Sequence, residues 1–413
     1  EEMGVIALRN ALLIDCTGAE PRERMTVLVE GRMIRRVGRD DQVSIPRDAQ
    51  VIELDGGALL PGLTDAHVHL GMDFLLEQTE RTPLAVQAMK AKAAIEEALE
   101  WGFTTVRDAG GIDGGFAQAV EEGHIQGPRI LPAGSVLSQT GGHGDWRPRW
   151  REPLPPPVPG LLAYPVLCDG VEAVRKAARE QLRRGATQIK LMASGGAMSP
   201  SDELEHTQFT VEEMAAAVHE ARAAGKYAMA HAYTPASIRN ALQAGVRSIE
   251  HGNFLDQETA FLMKQKGAFL VPTMATYEAI DAYGAQYGVP EVSLRKIRQA
   301  RDAMERGLMV ALEAGVTIGS GSDLLGPMQR FRTRELVLKA KVMGSLGALL
   351  SVTRNNAQLF GMEDKVGTVE EGKWADLIVV QGNPLEEIEV FSEKQNVRLV
   401  MKGGQVLKNL LEG

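Results

Sequence analysis

Apolar and polar positions alternate at both ends of the chain, and a period of two residues predicts β-strands. The alternation runs through 4–57 and returns in 366–407, with turn residues such as Gly31 and Gly38 between the apolar stretches. Neither end is long enough for a core of its own. We therefore expect residues 1–57 and 366–413 to complete one small β-sandwich domain, with residues 58–365 inserted between them. Two unrelated terminal hairpins are the alternative.

Between these ends the pattern changes to strands that alternate with helices. Most of the short apolar runs are followed by a stretch with apolar residues every three or four positions, which is typical of an amphipathic helix. Eight strand-plus-helix units predict an α/β fold, a closed parallel (β/α)8 barrel over residues 58–365. An open, doubly wound sheet is the alternative, but no G-x-G-x-x-G follows the first strand to support it. The eight runs are 58–67, 103–110, 129–134, 188–194, 227–233, 248–253, 268–274 and 317–323.

One connection in this region is long and rich in proline. Residues 135–169 contain GGHGDWRPRWREPLPPPVPG, a composition that fits neither a helix nor a strand. Long ordered loops in compact domains are often lids or binding loops. We expect this loop to cover part of a functional site.

Composition and charge exclude several classes of protein. The chain has 413 residues, of which 44% are hydrophobic and 24% charged, values near the globular average. The net charge of -9 argues against a nucleic-acid surface. Cys16 and Cys168 are too few for a disulfide framework. The start EEMGVIALRN lacks the pattern of a secretory signal, and no apolar run approaches 18 residues. We expect a cytoplasmic protein without membrane contact, although a leader could have been removed.

The first predicted barrel strand ends in two histidines, His67 and His69. Residues two apart on a strand share a face, so both imidazoles can turn toward one ion. Neutral imidazole suits zinc and related metals. The alternative is a strand end with two solvated side chains, and further ligands on other strands would decide between them.

Such ligands are present at the ends of later strands. Lys190 lies on the fourth strand, His231 on the fifth, His251 on the sixth and Asp323 at the end of the eighth. In a parallel barrel the carboxyl ends of all strands meet at one face. Four of the eight histidines at these ends are difficult to explain by packing alone. A lysine is a poor metal ligand as ammonium, but a neutral amine can take up carbon dioxide to give a carbamate that bridges two cations.

Six motifs spread over nearly the whole chain carry a resemblance to a known family. They are LPGLTDAHVHL at 60–70, IKLMASGG at 189–196, HAYT at 231–234, EHGN at 250–253, GSD at 321–323 and GTVEEGKWADLIVV at 367–380.

With these motifs the chain resembles the metal-dependent amidohydrolase superfamily, in its imidazolonepropionase and prolidase-like branch. This resemblance implies a (β/α)8 barrel with a flanking β-sandwich and two divalent ions, usually Zn2+. By the family pattern His67, His69 and Asp323 would hold one ion and His231 and His251 the other, bridged by carboxylated Lys190. Imidazolonepropionase itself lacks the bridging lysine, so Lys190 favours the peptidase-like relatives.

We expect such a site to hydrolyse amides, because two cations can lower the pKa of a bridging water and one of them can polarise a carbonyl group. Asp323 would act as ligand and base. His143, in the long loop, is the candidate donor to the oxyanion, unless it only bonds to Asp145. Tyr233 could bind a substrate carboxylate or merely close the barrel rim. Arg330 could also bind a carboxylate, although arginines on a helix more often form a solvated face.

The resemblance also suggests the substrate, a small molecule. We expect an Xaa-Pro or Xaa-hydrophobic dipeptide, with residues 274–287 forming the side-chain pocket. Relatives also hydrolyse N-acyl aromatic amino acids such as ochratoxin, and this alternative stays open. Hydrolysis of a cyclic amide, deamination of a ring amine and a catalytically silent relative are further alternatives, the last of which predicts missing ligands. By analogy with relatives we expect a symmetric homo-oligomer.

Overall fold

The structure, a computed structural model, describes residues 4–73 and 75–411, which form a mixed α/β fold. The strands are β1 Val5–Leu13, β2 Arg22–Glu30, β3 Met33–Arg39, β4 Gln50–Glu53, β5 Ala58–Pro61, β6 Leu63–Val68, β7 Phe103–Asp108, β8 Arg129–Leu131, β9 Leu137–Ser138, β10 Val166–Leu167, β11 Gln188–Met192, β12 Tyr227–Ala232, β13 Ser248–His251, β14 Phe269–Val271, β15 Thr317–Ile318, β16 Leu377–Val380, β17 Val397–Lys402 and β18 Gln405–Asn409. The helices are α1 Leu76–Arg81, α2 Leu84–Glu100, α3 Gly114–Glu121, α4 Val171–Arg183, α5 Val211–Ala223, α6 Pro235–Ala244, α7 Gln257–Lys266, α8 Ala275–Tyr283, α9 Glu291–Glu313, α10 Arg334–Leu350 and α11 Asn356–Phe360.

Strands from both ends of the chain pair in one eight-stranded sheet. Its order is β18-β17-β16-β5-β1-β2-β3, and β4 pairs with β1. Alternating residues of these strands, for example Leu8, Val27 and Leu399, belong to one buried apolar cluster. The two ends therefore share one core. Neither end has to supply enough apolar residues for a core of its own.

The apolar run 58–67 was expected to be one strand, but the structure divides it. Ala58–Pro61 pairs with β16 in the terminal sheet, whereas Leu63–Val68 pairs with β7. The division falls at Gly62, where a Cβ atom would lie 2.1 Å from the Oγ1 atom of Thr104. Only glycine allows this close approach of the backbone to β7.

The central strands form two parallel sheets. One has the order β6-β7-β8, and the other has the order β10-β9-β11-β12-β13-β14-β15. Backbone hydrogen bonds cross both gaps between these sheets. At one gap the Thr187 amide donates to the Pro132 carbonyl oxygen (2.9 Å), and at the other the Ala66 amide donates to the Ser320 carbonyl oxygen (2.8 Å).

The eight predicted runs each contain a strand, and helices follow most of them as the pattern indicated. The carboxyl ends of parallel neighbours lie on the same side, so the residues that end β6, β11, β12 and β13 come together there. The long connection 135–169 contains only the two-residue strands β9 and β10.

A run of helix near the C-terminal end has the length and mean hydropathy, 1.5, of a membrane-spanning helix. This run, Arg334–Phe360, combines α10, a π-helical turn and α11, and 50% of its most apolar window is buried inside the protein. Gly344 adopts φ 74 and ψ 165, which interrupts the helical backbone. The run is typical of a helix that packs against a protein core.

Candidate active site

A cavity of about 620 Å3 opens at the carboxyl ends of the central strands. Its size is in the range of small-molecule sites. The six residues predicted to hold metal all line this cavity, and so do His143 and Tyr233. The six are His67, His69, Lys190, His231, His251 and Asp323.

Three of these residues form a compact cluster. The Oδ1 atom of Asp323 lies 3.3 Å from His67 Nε2 and 3.1 Å from His69 Nε2. One ligand atom from each of the three side chains can be chosen so that all lie within 4.8 Å of one another. Two imidazoles and a carboxylate at this spacing are a chemically suitable donor set for a divalent ion such as zinc.

The other three predicted ligands surround this cluster. Lys190 Nζ lies 3.4 Å from His67 Nε2, and His251 Nδ1 lies 3.9 Å from Asp323 Oδ2. The rings of His231 and His251 are 4.7 Å apart between centroids, and those of His67 and His251 are 5.1 Å apart. The structure therefore brings all six side chains together.

Each of the four histidines has one ring nitrogen bonded to a protein group outside the six predicted ligands. His67 Nδ1 bonds to Glu250 Oε1 (3.0 Å), His69 Nδ1 to the Gly110 carbonyl oxygen (2.7 Å), His231 Nε2 to the Gly195 carbonyl oxygen (2.8 Å) and His251 Nδ1 to Thr273 Oγ1 (2.6 Å). A carbonyl oxygen only accepts, so the bonded nitrogen of His69 and of His231 carries the proton. In a neutral ring the second nitrogen then carries no proton, and its lone pair can bind a metal ion. This arrangement is found at most metal-binding histidines.

Two of the six residues have an unusual backbone. His251 adopts φ 79 and Asp323 adopts φ 51, in the left-handed region that non-glycine residues rarely occupy. Such conformations cost free energy, and they cluster at functional sites. The Asp323 conformation is held by its amide, which donates to the His67 carbonyl oxygen (2.8 Å).

The electrostatics of the cavity favour metal-binding forms of these groups. Burial lowers the pKa of His231 and of His251 well below its usual value, so both rings are neutral at pH 7. Burial lowers the pKa of Lys190 to about 8, against the opposing effect of Glu250 and Asp323. Burial raises the pKa of Asp323, but the neighbouring histidines, with His67 contributing most, together outweigh it and hold that pKa well below its usual range.

Sequence reasoning missed the charged pair beneath the cluster. Glu250 and Arg107 are fully buried, and Arg107 Nη2 donates to Glu250 Oε1 (2.8 Å), the atom that also bonds to His67. Burial raises the pKa of Glu250, but the charge of Arg107 and the hydrogen bond and charge of His67 together outweigh it and lower that pKa to about 2. The signal in the sequence was an arginine within the apolar run 103–110 and a glutamate directly before His251.

Asp65 is a second residue that the sequence analysis did not select. Its Oδ1 atom accepts from the amide of Ser322 (3.0 Å), and its Oδ2 atom accepts from the Ser322 hydroxyl (2.5 Å). These bonds fix the segment directly before Asp323. Strand alternation places Asp65 on the face of His67 and His69, a signal that could have identified it.

His143 and Tyr233 lie beside the six residues. The His143 ring stacks on His231 with centroids 4.2 Å apart, and its Nδ1 atom bonds to Ser199 Oγ (2.8 Å) rather than to Asp145. The hydroxyl groups of Tyr233 and Tyr277 are 2.9 Å apart. Burial raises the pKa of Tyr233 well above its usual value, so its hydroxyl keeps its proton.

Arg330 is the one predicted site residue that the structure does not bring to the cavity. It is exposed, at the end of a 3-10 helix, and its guanidinium lies over the Phe331 ring (4.8 Å to the centroid). The segment 274–287, expected to form a side-chain pocket, contributes Thr276, Tyr277 and Ile280 to the cavity wall. The remaining histidines, His124, His206 and His219, do not line it.

Comparison with known proteins agrees with this geometry. Residues 58–407 match the Amidohydrolase family. The chain belongs to this family. It is therefore a hydrolase that acts on amide bonds, in a family that generally uses divalent metal ions.

Several relatives share most of the chain. Ochratoxinase from Aspergillus niger is 34% identical, covering 99% of this chain and 88% of the relative. A solved prolidase in complex with N-methylphosphonate-L-proline is 41% identical with a TM-score of 0.93, covering 98% of this chain and 100% of that one. A solved Xaa-Pro dipeptidase with bound methionine is 30% identical with a TM-score of 0.86, covering 98% and 100%.

The Thr273 hydroxyl orients His251, so its removal should weaken metal binding in this amidohydrolase. We expect Thr273→Val, which keeps the side-chain shape, to lower metal affinity about 10- to 100-fold, as is typical when the partner of a ligand is lost. Competition with a metal chelator measures this affinity. Thr104→Val is the control, because Thr104 is also buried, whereas only Thr273 bonds to one of the predicted metal ligands. Equal affinities for both variants would show that the Thr273 bond does not support a metal ligand.

Proposed function

We propose that this chain is a binuclear-metal amidohydrolase that cleaves Xaa-Pro or Xaa-hydrophobic dipeptides. The observation that carries the proposal is the convergence of His67, His69, Lys190, His231, His251 and Asp323 on one cavity. The similarity to a prolidase at 41% identity, over nearly the whole of both chains, supports this choice of substrate.

The proposal includes the architecture of the chain. The eight strands that carry the site are proposed to close into a (β/α)8 barrel formed by residues 58–365. Hydrogen bonds across both gaps between the central sheets support closure, including that from the Asp323 amide to the His67 carbonyl oxygen. Residues 1–57 and 366–413 are proposed to form the second domain, to which the structure adds strand β5.

Two Zn2+ ions are proposed as the cofactor, bridged by carboxylated Lys190. His67, His69 and Asp323 would hold one ion, and His231 and His251 the other. When bound, the ions activate water as a nucleophile and polarise the carbonyl group of the substrate. The buried Lys190 suits this role because burial favours the neutral amine that reacts with carbon dioxide.

The side chains of the cavity would complete the reaction. Asp323 takes a proton from the attacking water and passes it to the leaving nitrogen as the C–N bond breaks. Tyr233 keeps its proton and is proposed to donate a hydrogen bond to the substrate carboxylate. An Xaa-Pro amide nitrogen carries no hydrogen, so the site needs no acceptor for it.

A second candidate is the hydrolysis of N-acyl aromatic amino acids. Among the described lining residues, the carboxylates other than Asp323 are already paired with cations: Asp73 with Lys90, Glu77 with Arg81 and Glu80 with Arg151. None of these three carboxylates is therefore unpaired and able to bind the α-ammonium group of a dipeptide. This favours a substrate with an uncharged acyl group. The identity of 34% with ochratoxinase supports this candidate as well.

A panel of four substrates separates the two candidates, because it varies the acyl group and the leaving amino acid independently. We expect kcat/KM for Ala-Pro to exceed that for N-benzoyl-Phe by about tenfold or more, a typical discrimination by one pocket. Ala-Phe and N-benzoyl-Pro complete the panel. Asp323→Asn, purified in parallel, controls for contaminating peptidases. Cleavage of the N-benzoyl substrates without cleavage of Ala-Pro or Ala-Phe would replace the dipeptidase with the second candidate.

Carboxylation of Lys190 should depend on pH in a defined direction. The measured quantity is the carbon-dioxide-dependent rate at which metal-free protein regains activity after zinc is added. Because only the neutral amine reacts, this rate should rise about tenfold per pH unit below pH 8 and level off above it. The measurement holds dissolved carbon dioxide constant. Lys190→Met should show no such dependence. A wild-type rate of reactivation that does not depend on the carbon dioxide concentration would exclude the carbamate.

A further inference from the structure

A buried polar cluster lies next to His143 and outside the six proposed metal ligands. It consists of Ser199, Asp202, Gln208 and Lys296, each no more than 5% exposed. Ser199 and Asp202 come from the loop after β11, Gln208 from just before α5, and Lys296 from α9. Buried polar groups are costly unless their hydrogen bonds are made, so the direction of each bond can be deduced.

The amide of Gln208 fixes the first bond direction. Its Oε1 atom lies 2.8 Å from the backbone N–H of His143, which can only donate. The amide nitrogen of Gln208 must then be the other terminal atom, and it donates to Asp202 Oδ2 at 2.7 Å. Asp202 therefore accepts at Oδ2.

Asp202 also accepts at its second oxygen. Its Oδ1 atom is bonded to the Ser199 hydroxyl, and the Lys296 Nζ atom is 3.9 Å from it. Lys296 Nζ donates to three carbonyl oxygens, those of Gly196 (2.8 Å), Ser199 (2.9 Å) and Asp202 (3.0 Å). Three acceptors use all the protons of an ammonium group, so Lys296 is charged and balances an ionised Asp202.

The Ser199 hydroxyl has one proton, and it donates that proton in its hydrogen bond to the Oδ1 atom of Asp202. The Ser199 oxygen is then an acceptor toward His143, so the proton in the 2.8 Å contact belongs to His143 Nδ1. The hydrogen bond of one ring nitrogen determines the state of the other. Nε2 of a neutral His143 is therefore without a proton, and no described residue bonds to it.

The His143 ring is packed against two neighbours, His231 and Gly196. One face stacks on His231, with centroids 4.2 Å apart. Gly196 lies so close to the ring that a Cβ atom there would be 2.1 Å from His143 Nδ1. The ring therefore has little freedom to rotate or to exchange its bonded nitrogen.

We propose that Asp202 is a positioning residue that acts through Ser199 to hold His143 in the Nδ1–H form, so that its Nε2 atom accepts a hydrogen bond from the α-amino group of the Xaa residue. This inference rests on the proposed dipeptidase function. It changes the role expected for His143, because a neutral ring in this form cannot donate from Nε2 to an oxyanion. His143 Nε2 also supplies an acceptor for the α-amino group, which the carboxylates that line the cavity and are already paired with cations do not.

The ring state can be measured directly in the zinc-loaded enzyme by 15N NMR of labelled histidine, with the His143 signals assigned by their loss in His143→Asn. We expect Nε2 of wild-type His143 to have the shift of an unprotonated nitrogen. In Asp202→Asn, whose amide can donate to Ser199, we expect that signal to move toward a protonated nitrogen. A protonated Nε2 in the wild type, or no change in Asp202→Asn, would overturn the proposal.

Kinetics test the contact with the α-amino group. Ala-Pro is compared with propionyl-proline, which lacks only that group. We expect Asp202→Asn and Ser199→Ala to lower kcat/KM for Ala-Pro about tenfold or more beyond their effect on propionyl-proline, the loss typical of a hydrogen bond to a charged group. Asp48→Asn, at an exposed position, is the control. Equal losses on both substrates would overturn the contact.

The two readouts keep this proposal separate from the proposed function. If the wild type cleaves neither Ala-Pro nor propionyl-proline, the dipeptidase function fails and the α-amino contact fails with it, while the NMR signals still decide the state of His143. Metal content and thermal unfolding of each variant show whether its fold is intact. If a variant loses zinc, Gly196→Ala is tested in its place, because the added methyl group should displace the His143 ring. We expect this variant to lose more kcat/KM for Ala-Pro than for propionyl-proline.

Discussion

The site depends on one constraint: in each of four histidines, a hydrogen bond to a group outside the six predicted ligands uses one of the two ring nitrogens. The partners differ, a carboxylate for His67, carbonyl oxygens for His69 and His231, and a hydroxyl for His251. In every case this hydrogen bond fixes the orientation of the ring. Preorganisation of this kind lowers the cost of binding and fixes the ligand geometry.

This orientation has a cost that the fold must offset. Burial disfavours charge on the rings, Arg107 and Glu250 are fully buried as a pair, and His251 and Asp323 have left-handed backbones. The parallel strands supply the rigid frame that holds these groups, since the polar atoms of the pair are satisfied by hydrogen bonds to neighbouring strands. A strained, charged cluster of this type is expected where a structure serves catalysis rather than stability.

The sequence was sufficient to predict a strand in each of the eight central apolar runs and the six converging residues, because parallel strands bring their carboxyl ends together whatever their separation in the chain. It did not predict the partners of the histidines. Thr273 reaches His251 only through the register between β13 and the segment after β14, and His143 reaches Ser199 only through the relative placement of two loops. Neither register nor loop placement has a local signal. Arg330 was misplaced for a similar reason, since the 3-10 helix after Asp323 turns its side chain to solvent.

The central claim is that six side chains hold two metal ions with Lys190 between them. Metal analysis of the purified protein, reconstituted with zinc in the presence of carbon dioxide, tests it most directly when wild type and Lys190→Ala are compared. We expect two ions per chain in the wild type and no more than one in the variant, with its fold retained. Two tightly bound ions in Lys190→Ala would contradict the bridging role, and a single ion in the wild type would contradict the binuclear site itself.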